Sequence, residues 1–128
     1  MEKNNTELTR KQVAKKLKSI ICKTIIDVTR QHIKDGKPED ATQCPVALGT
    51  KDKFTKVLKD HMEIDEFTVN HEEMTAVIMW NNWRVVIEAA VPKLVGQFIK
   101  EVDKDLDYEE KKLKPMKFKY RNVRVEAQ

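Results

Sequence analysis

Cysteine, glycine and aromatic residues are scarce in this chain of 128 residues, which holds two cysteines, three glycines and 6% aromatics. Cys22 and Cys44 have no paired spacing, so we expect no disulfide framework, and this usage fits a reducing compartment. No apolar stretch approaches the roughly 18–20 residues that a membrane-spanning helix needs. The start, MEKNNTELTRKQ, has no apolar run behind its charges and predicts no signal peptide. The expectation is a cytoplasmic protein.

Catalytic and metal-binding motifs are also missing. The chain contains no glycine-rich phosphate loop, no H-E-x-x-H and no G-x-S-x-G. The three histidines, His32, His61 and His71, have no ligand spacing with either cysteine. We therefore predict no cofactor, no metal and no enzymatic activity, although a metal site assembled only in the folded chain stays open.

Charge is abundant and unevenly placed. Charged residues make up 36% of the chain and the net charge is +4. Residues 1–23 carry seven Lys or Arg against two Glu, a net +5, and residues 111–128 carry seven against one, a net +6. The remainder, 24–110, carries eleven against eighteen, a net −7. If the ends lie together, they form a basic face opposite an acidic one, which steers partners and favours head-to-tail self-association.

The first half of the chain predicts helices around one short strand. Residues 6–22 have an apolar stripe at helical spacing, and Thr6 or Thr9 is the expected cap. The β-branched segment 23–29 predicts a strand, and RQHIKD after it a short helix that stops at Gly36. A helix should begin at Pro45 and run to about Lys59, with Val57 among its apolar contacts. Gly49 within it suggests close packing.

The second half predicts strands and one further helix. EFTVN, TAVIMW and WRVVIEA read as three strands, the last two joined by a tight turn at Asn81-Asn82. A helix starting at Pro92 should bury a stripe that includes Leu94. The segment PMKFKYRNVRV predicts a final, half-buried strand. The order indicates an α+β fold with a mostly antiparallel sheet of about five strands. Residues 1–24 are a basic amphipathic helix, and residues 25–128 a single α+β domain.

Four segments resemble a family of small, mostly uncharacterised proteins of bacteriophages and bacteria. They are VTRQHIKDG (28–36), CPVALG (44–49), VPKLVGQFIKEVD (91–103) and KPMKFKY (114–120). Gly49 stands where that family usually has alanine. The resemblance implies a phage or bacterial origin, and hence the cytoplasm of a bacterial host, together with the element order above. It implies no catalytic residue.

Cys44 precedes Pro45 at the start of a predicted helix. A thiol at a helix N-terminus can be reactive. The simpler interpretation is a small buried side chain at the cap position, because the residue before proline is disfavoured in helical geometry. We predict a buried, slowly reacting thiol.

Two groups of residues are candidates for binding a partner or ligand. The first is Trp80, Trp83 and Arg84 around the predicted turn, where the tryptophans either stabilise the hairpin or offer a stacking surface. The second is the C-terminal group Lys117, Lys119 and Arg121, which alternates with aromatic residues. A solvated, charge-rich surface is the alternative explanation of the second group.

The leading hypothesis is a non-enzymatic binding protein, an accessory protein of a phage or prophage that binds and inhibits a host factor or sequesters a small molecule. This step is an analogy. The alternative is a nucleic-acid-binding accessory protein that uses the basic N- and C-terminal segments. A third hypothesis is an enzyme that uses Cys44. We expect no membrane partner, and we expect the protein to form a homo-oligomer. Substitution of either tryptophan should harm binding more than any single lysine change.

Overall fold

A computed structural model describes residues 9–37, 40–58, 62–104 and 113–128, apart from the side chains of residues 103 and 104. These residues form four helices and six strands. In chain order, the elements are α1 (Arg10–Lys23), β1 (Ile26–Val28), α2 (Arg30–Asp35), α3 (Pro45–Leu58), β2 (Met62–Val69), β3 (Glu73–Trp80), β4 (Trp83–Ala90), α4 (Lys93–Lys104), β5 (Met116–Phe118) and β6 (Arg121–Ala127). The predicted α+β class and N-terminal helix are confirmed.

The strands are divided between two antiparallel sheets. One has four strands in the order β2-β3-β4-β6, and the other pairs β1 with β5. The sequence predicted one continuous strand where the chain forms β5 and then β6. The two strands separate at Tyr120, whose side chain is buried, with its hydroxyl oxygen 2.7 Å from Thr50 Oγ1. The predicted alternation continues through Tyr120 and is interrupted at Arg121 and Asn122, which are both exposed; Asn122 has a φ value of 48°.

The hairpin between β3 and β4 turns at the predicted residues. Asn81 and Asn82 have φ values of 51° and 69°, the left-handed conformation that two-residue hairpin turns require. Trp80 and Trp83 are consequently direct partners across the turn. The predicted turn is confirmed.

Helix α1 begins at a capping box. The backbone N–H of Thr9 donates to Gln12 Oε1 at 2.8 Å, and the backbone N–H of Gln12 donates to Thr9 Oγ1 at 3.2 Å. Val13, Leu17 and Ile21 are buried along one side, and the helix packs chiefly against β6. The helix is thus docked on the sheet of its own chain. The cap is Thr9, one of the two predicted residues, and Thr6 lies outside the described residues.

The four-stranded sheet has an apolar inner face and a charged outer face. Inner-face residues alternate along each strand and are buried with α1, α3 and α4; they include Met74, Ile78, Val85 and Ile87. The outer face carries five glutamates, two of them on β2 and one each on β3, β4 and β6: Glu63, Glu66, Glu73, Glu88 and Glu126. Because α1 lies on the inner side, its cations and these carboxylates are on opposite sides of the sheet.

Close packing at Gly49 is confirmed. A Cβ atom at this position would lie 2.7 Å from the carbonyl oxygen of Asp27, so α3 can approach β1 this closely only with glycine there. Two predicted apolar contacts are wrong. Leu94, in the first turn of α4, is 77% exposed, and Val57, in the last turn of α3, is 40% exposed.

Candidate functional site

The outward side of α1 is the most strongly charged surface that the structure describes. The helix carries six cations and no carboxylate: Arg10, Lys11, Lys15, Lys16, Lys18 and Lys23. All six are exposed. The salt bridges among the described residues involve none of them. Arg10 lies on the side of the buried stripe, and the other five lie on the outward side, which we call the basic face: Lys11, Lys15, Lys16, Lys18 and Lys23.

The basic face costs stability. Like charges three or four residues apart on a helix, such as Lys11 with Lys15 and Lys15 with Lys18, destabilise it by about 0.2–0.5 kcal/mol per pair. Lys23 in the last turn is favourable with respect to the helix dipole, whereas Arg10 and Lys11 in the first turn are not. An anion bound to this face would offset these repulsions.

Arg10 also contacts the hairpin. Its guanidinium carbon lies 5.9 Å from the centre of the Trp83 ring, in a cation–π arrangement. Trp83 is half-buried against the core, and Trp80 is enclosed in it at 5% exposure. The Trp80 ring is therefore covered and offers no stacking surface, and the Trp83 ring is partly covered by Arg10.

Arg84 lies on the other face of the sheet from Trp83. Successive strand residues point to opposite faces, so Arg84 joins the acidic outer face. Its guanidinium nitrogens lie 3.4 Å from Asp65 Oδ2 and 3.9 Å from Glu66 Oε2. The structure does not bring Arg84 together with the tryptophan rings.

The three predicted C-terminal cations lie on β5, on β6 and between these two strands. Lys117 is the cross-strand partner of Asp27, and its Nζ lies 3.6 Å from Asp27 Oδ1. A hydrogen bond from Lys53, aided by the charge of Lys117, holds the pKa of Asp27 below its ordinary value. Lys119 and Arg121 are exposed. The α1 lysines were not among the predicted site residues, although the sequence predicted an amphipathic basic helix over residues 6–22.

A hydroxyl, an imidazole and a carboxylate meet beside α2. Thr29 Oγ1 lies 3.0 Å from His32 Nδ1, and His32 Nε2 lies 2.6 Å from Asp52 Oδ2. The arrangement has the residue types of a catalytic triad, yet His32 Nδ1 already accepts the backbone N–H of Thr29 at 2.9 Å. Thr29 Oγ1 in turn accepts the backbone N–H of His32. These contacts are a capping box, in which the imidazole caps the helix and Asp52 ties it to α3.

Cys44 is buried, at 2% exposure, and its backbone N–H donates to the carbonyl of Asp40 at 2.9 Å. The predicted burial is confirmed. The thiol lies near Tyr120, where burial above all raises the pKa of the tyrosine hydroxyl and Cys44 adds to the effect.

A surface groove of about 420 Å³ lies beside the β1–β5 pair. It is lined by two cations, Arg30 and Lys117, with Asp27, Val28, Thr29, Pro115 and Met116. The guanidinium of Arg30 donates to the carbonyl of Leu113 at 2.8 Å. The volume lies in the usual range for small-molecule pockets, roughly 300–1,000 Å³.

Metal-ligand groups and membrane-spanning helices are both absent from the described residues. No group of three or more His, Cys, Asp or Glu side chains is placed to hold a metal ion within that part of the chain. None of the described helices has the length and apolar character required to cross a bilayer.

Comparisons with protein-family models, curated proteins and solved structures found no match to this chain. The family resemblance drawn from the four sequence segments stays a prediction.

Proposed function

We propose that this protein is a non-enzymatic binding protein that attaches to the phosphate backbone of nucleic acid through the basic face of α1. The observation that carries the proposal is the placement of five exposed lysines on the outward side of a helix that contains no carboxylate itself and whose apolar stripe is already buried. Clustered Lys and Arg on one helix face are the electrostatic footprint of a phosphate-binding surface.

The opposite charge on the far side of the sheet supports the same proposal. The overall charge of +4 is modest, and an acidic middle segment would repel phosphate if it lay beside the cations. The outer-face glutamates lie across the sheet from α1. The protein therefore approaches a polyanion with one side only, as a charge dipole.

An anionic lipid surface suits this helix less well. Amphipathic helices that lie in a membrane interface insert their apolar face into the lipid. In α1 the apolar residues Val13, Leu17 and Ile21 are buried against the sheet. Membrane attachment would require the helix to leave its own core.

The test is the salt dependence of binding, measured by fluorescence anisotropy with labelled DNA. Each neutralised phosphate contributes about 0.9 to the slope of log affinity against log salt. Replacing Lys11, Lys15 and Lys18 by Gln should flatten this slope by roughly one unit per lost contact. Glutamine preserves helix propensity, and circular dichroism checks the fold.

The matched control removes the same number of charges elsewhere. Replacing Lys117, Lys119 and Arg121 by Gln lowers the net charge equally but leaves α1 intact. We expect the slope of this variant to stay close to that of the native protein. If the slope flattens more in the control variant, the binding site lies in the C-terminal segment. If it flattens equally in both variants, binding depends only on the net charge of the protein.

A small ligand is the second candidate, because the groove of about 420 Å³ beside β1 and β5 offers Arg30 and Lys117 to an anionic group. Mass spectrometry of small molecules released from the purified protein tests it. A ligand lost in Lys117→Gln, with DNA binding absent, would favour this candidate. The accessory role in a phage or prophage, acting on a host factor, remains the proposed setting and is tested by affinity capture from host lysate.

A further inference from the structure

The basic face is organised into two rows of lysines with a polar ridge between them. Successive residues are about 100° apart around a helix. Residues spaced by four and three positions therefore form one row on the outward surface, and two residues spaced by seven positions form a second row beside it. The rows are Lys11, Lys15 and Lys18 on one side, and Lys16 and Lys23 on the other, with Gln12 and Ser19 between them. All seven side chains are exposed.

The dimensions of this surface match the major groove of B-form DNA. The two rows are about 120° apart around the helix, so on a helix about 10–12 Å in diameter they are separated by roughly 9–10 Å. The major groove is about 12 Å wide and admits an α-helix. Lys11 and Lys18 are about 10.5 Å apart along the axis of α1, so this row can contact more than one phosphate of the same strand.

We propose that α1 lies in the major groove of double-stranded DNA, with its two lysine rows on the two phosphate backbones and Gln12 and Ser19 facing the base edges. This inference rests on the proposed function and names the kind of nucleic acid. The position of α1 on β6, the edge strand of the sheet, leaves its outward side free to enter a groove.

Double-stranded RNA and single strands fit the same surface poorly. The major groove of A-form RNA is deep and too narrow for side chains to read. Single-strand binders stack bases on exposed aromatic rings. Among the described residues no aromatic side chain is exposed, since Trp83 and Phe118 are half-buried and the others are buried.

The ridge predicts weak sequence preference. Gln12 Oε1 accepts the backbone N–H of Thr9, which leaves only the amide nitrogen to donate to a base. The bidentate contact that glutamine makes with adenine therefore competes with the helix cap. A single donor and the Ser19 hydroxyl should discriminate between base pairs by less than about tenfold.

The test compares three probes of about 21 base pairs or nucleotides, two turns of duplex: a DNA duplex, the RNA duplex of the same sequence, and one DNA strand. We expect the DNA duplex to bind at least ~10-fold more tightly than the other two at physiological salt. Protection of guanine N7 in the major groove from dimethyl sulfate, without protection of adenine N3 in the minor groove, should accompany binding.

Ser19→Glu places a carboxylate on the ridge and should weaken duplex binding by more than ~10-fold, because that charge would face the groove between two phosphate strands. Thr55→Glu is the matched control, an exposed hydroxyl residue on α3, and should change binding by less than ~2-fold. Equal binding of the three probes, or equal effects of the two variants, would overturn the groove inference and leave the proposed function standing. An absence of salt-dependent binding to all three probes would overturn both.

Discussion

Arg10 lies over the ring of Trp83, with its guanidinium carbon 5.9 Å from the ring centre. The contact joins the first turn of α1 to the β3–β4 hairpin, at one end of the sheet. With Val13, Leu17 and Ile21 buried along the same helix, it fixes which side of α1 faces outward. A cation–π pair near the surface contributes about 0.5–1 kcal/mol, less than the burial of one large aliphatic side chain. The apolar stripe therefore holds the helix, and Arg10 refines its position.

The two hairpin tryptophans should differ in their effect on stability. Trp80→Ala should lower the free energy of unfolding by about 3–5 kcal/mol, the usual cost of emptying a core aromatic site. Trp83→Ala should cost less, because Trp83 is only half-buried. Urea unfolding measures both. Binding should fall with Trp80→Ala only as far as unfolding explains. A well-folded Trp80→Ala protein that no longer binds would restore the tryptophan as a contact residue.

Much of the fold follows from local sequence patterns. The cap at Thr9, the turn at Asn81-Asn82 and the helix start at Pro45 each depend on neighbouring residues only, and each is where the pattern indicates. The contact of the Tyr120 hydroxyl with Thr50, by contrast, joins residues that are seventy positions apart in the chain. A period-two pattern contains no information on such a contact.

The candidate site was only half visible in the sequence. The basic character of both ends was clear, but the alternation of Lys117 and Lys119 with aromatic residues drew attention to the C-terminal segment. Lys117 is paired with Asp27 across β1 and β5, a relationship set by strand register. The tertiary fold determines which of the two basic segments has cations that form no salt bridge within the described part of the chain. Helical periodicity alone did place the apolar and basic sides of α1.

Tyr120 should make stability fall at high pH. Burial raises the pKa of its hydroxyl above the ordinary value near 10. The folded state therefore holds the proton more tightly than the unfolded state, so this contribution is complete below about pH 10 and is lost as the pH rises beyond it. Tyr120→Phe abolishes the effect. The difference in unfolding free energy between native and Tyr120→Phe proteins should be constant from about pH 7 to 9 and shrink above about pH 10. A difference independent of pH would contradict the prediction.

Cys44 should behave as a structural side chain. In a Cys22→Ser background, which removes the exposed thiol, a thiol reagent should label Cys44 slowly in the native protein and rapidly in urea, because the side chain is 2% exposed. Cys44→Ala should retain binding. Rapid native labelling, together with loss of function in the alanine variant, would favour the enzyme hypothesis.

Self-association is expected to depend on the two charged sides of the molecule. The basic face of α1 and the glutamate-rich outer face are complementary, so one copy can place its helix against the sheet of the next. Such a head-to-tail contact is electrostatic and should weaken as the Debye length shortens, from about 10 Å at 0.1 M salt to about 3 Å at 1 M. Light scattering without nucleic acid should therefore report a larger mass at low salt than at high salt.

Replacing Lys11, Lys15 and Lys18 by Gln should give the smaller mass at both salt concentrations. The Lys117, Lys119 and Arg121 triple variant should behave as the native protein does. A native protein that is monomeric at every salt concentration would rule out the homo-oligomer, and an oligomer that persists at high salt would point to an apolar contact in place of this one.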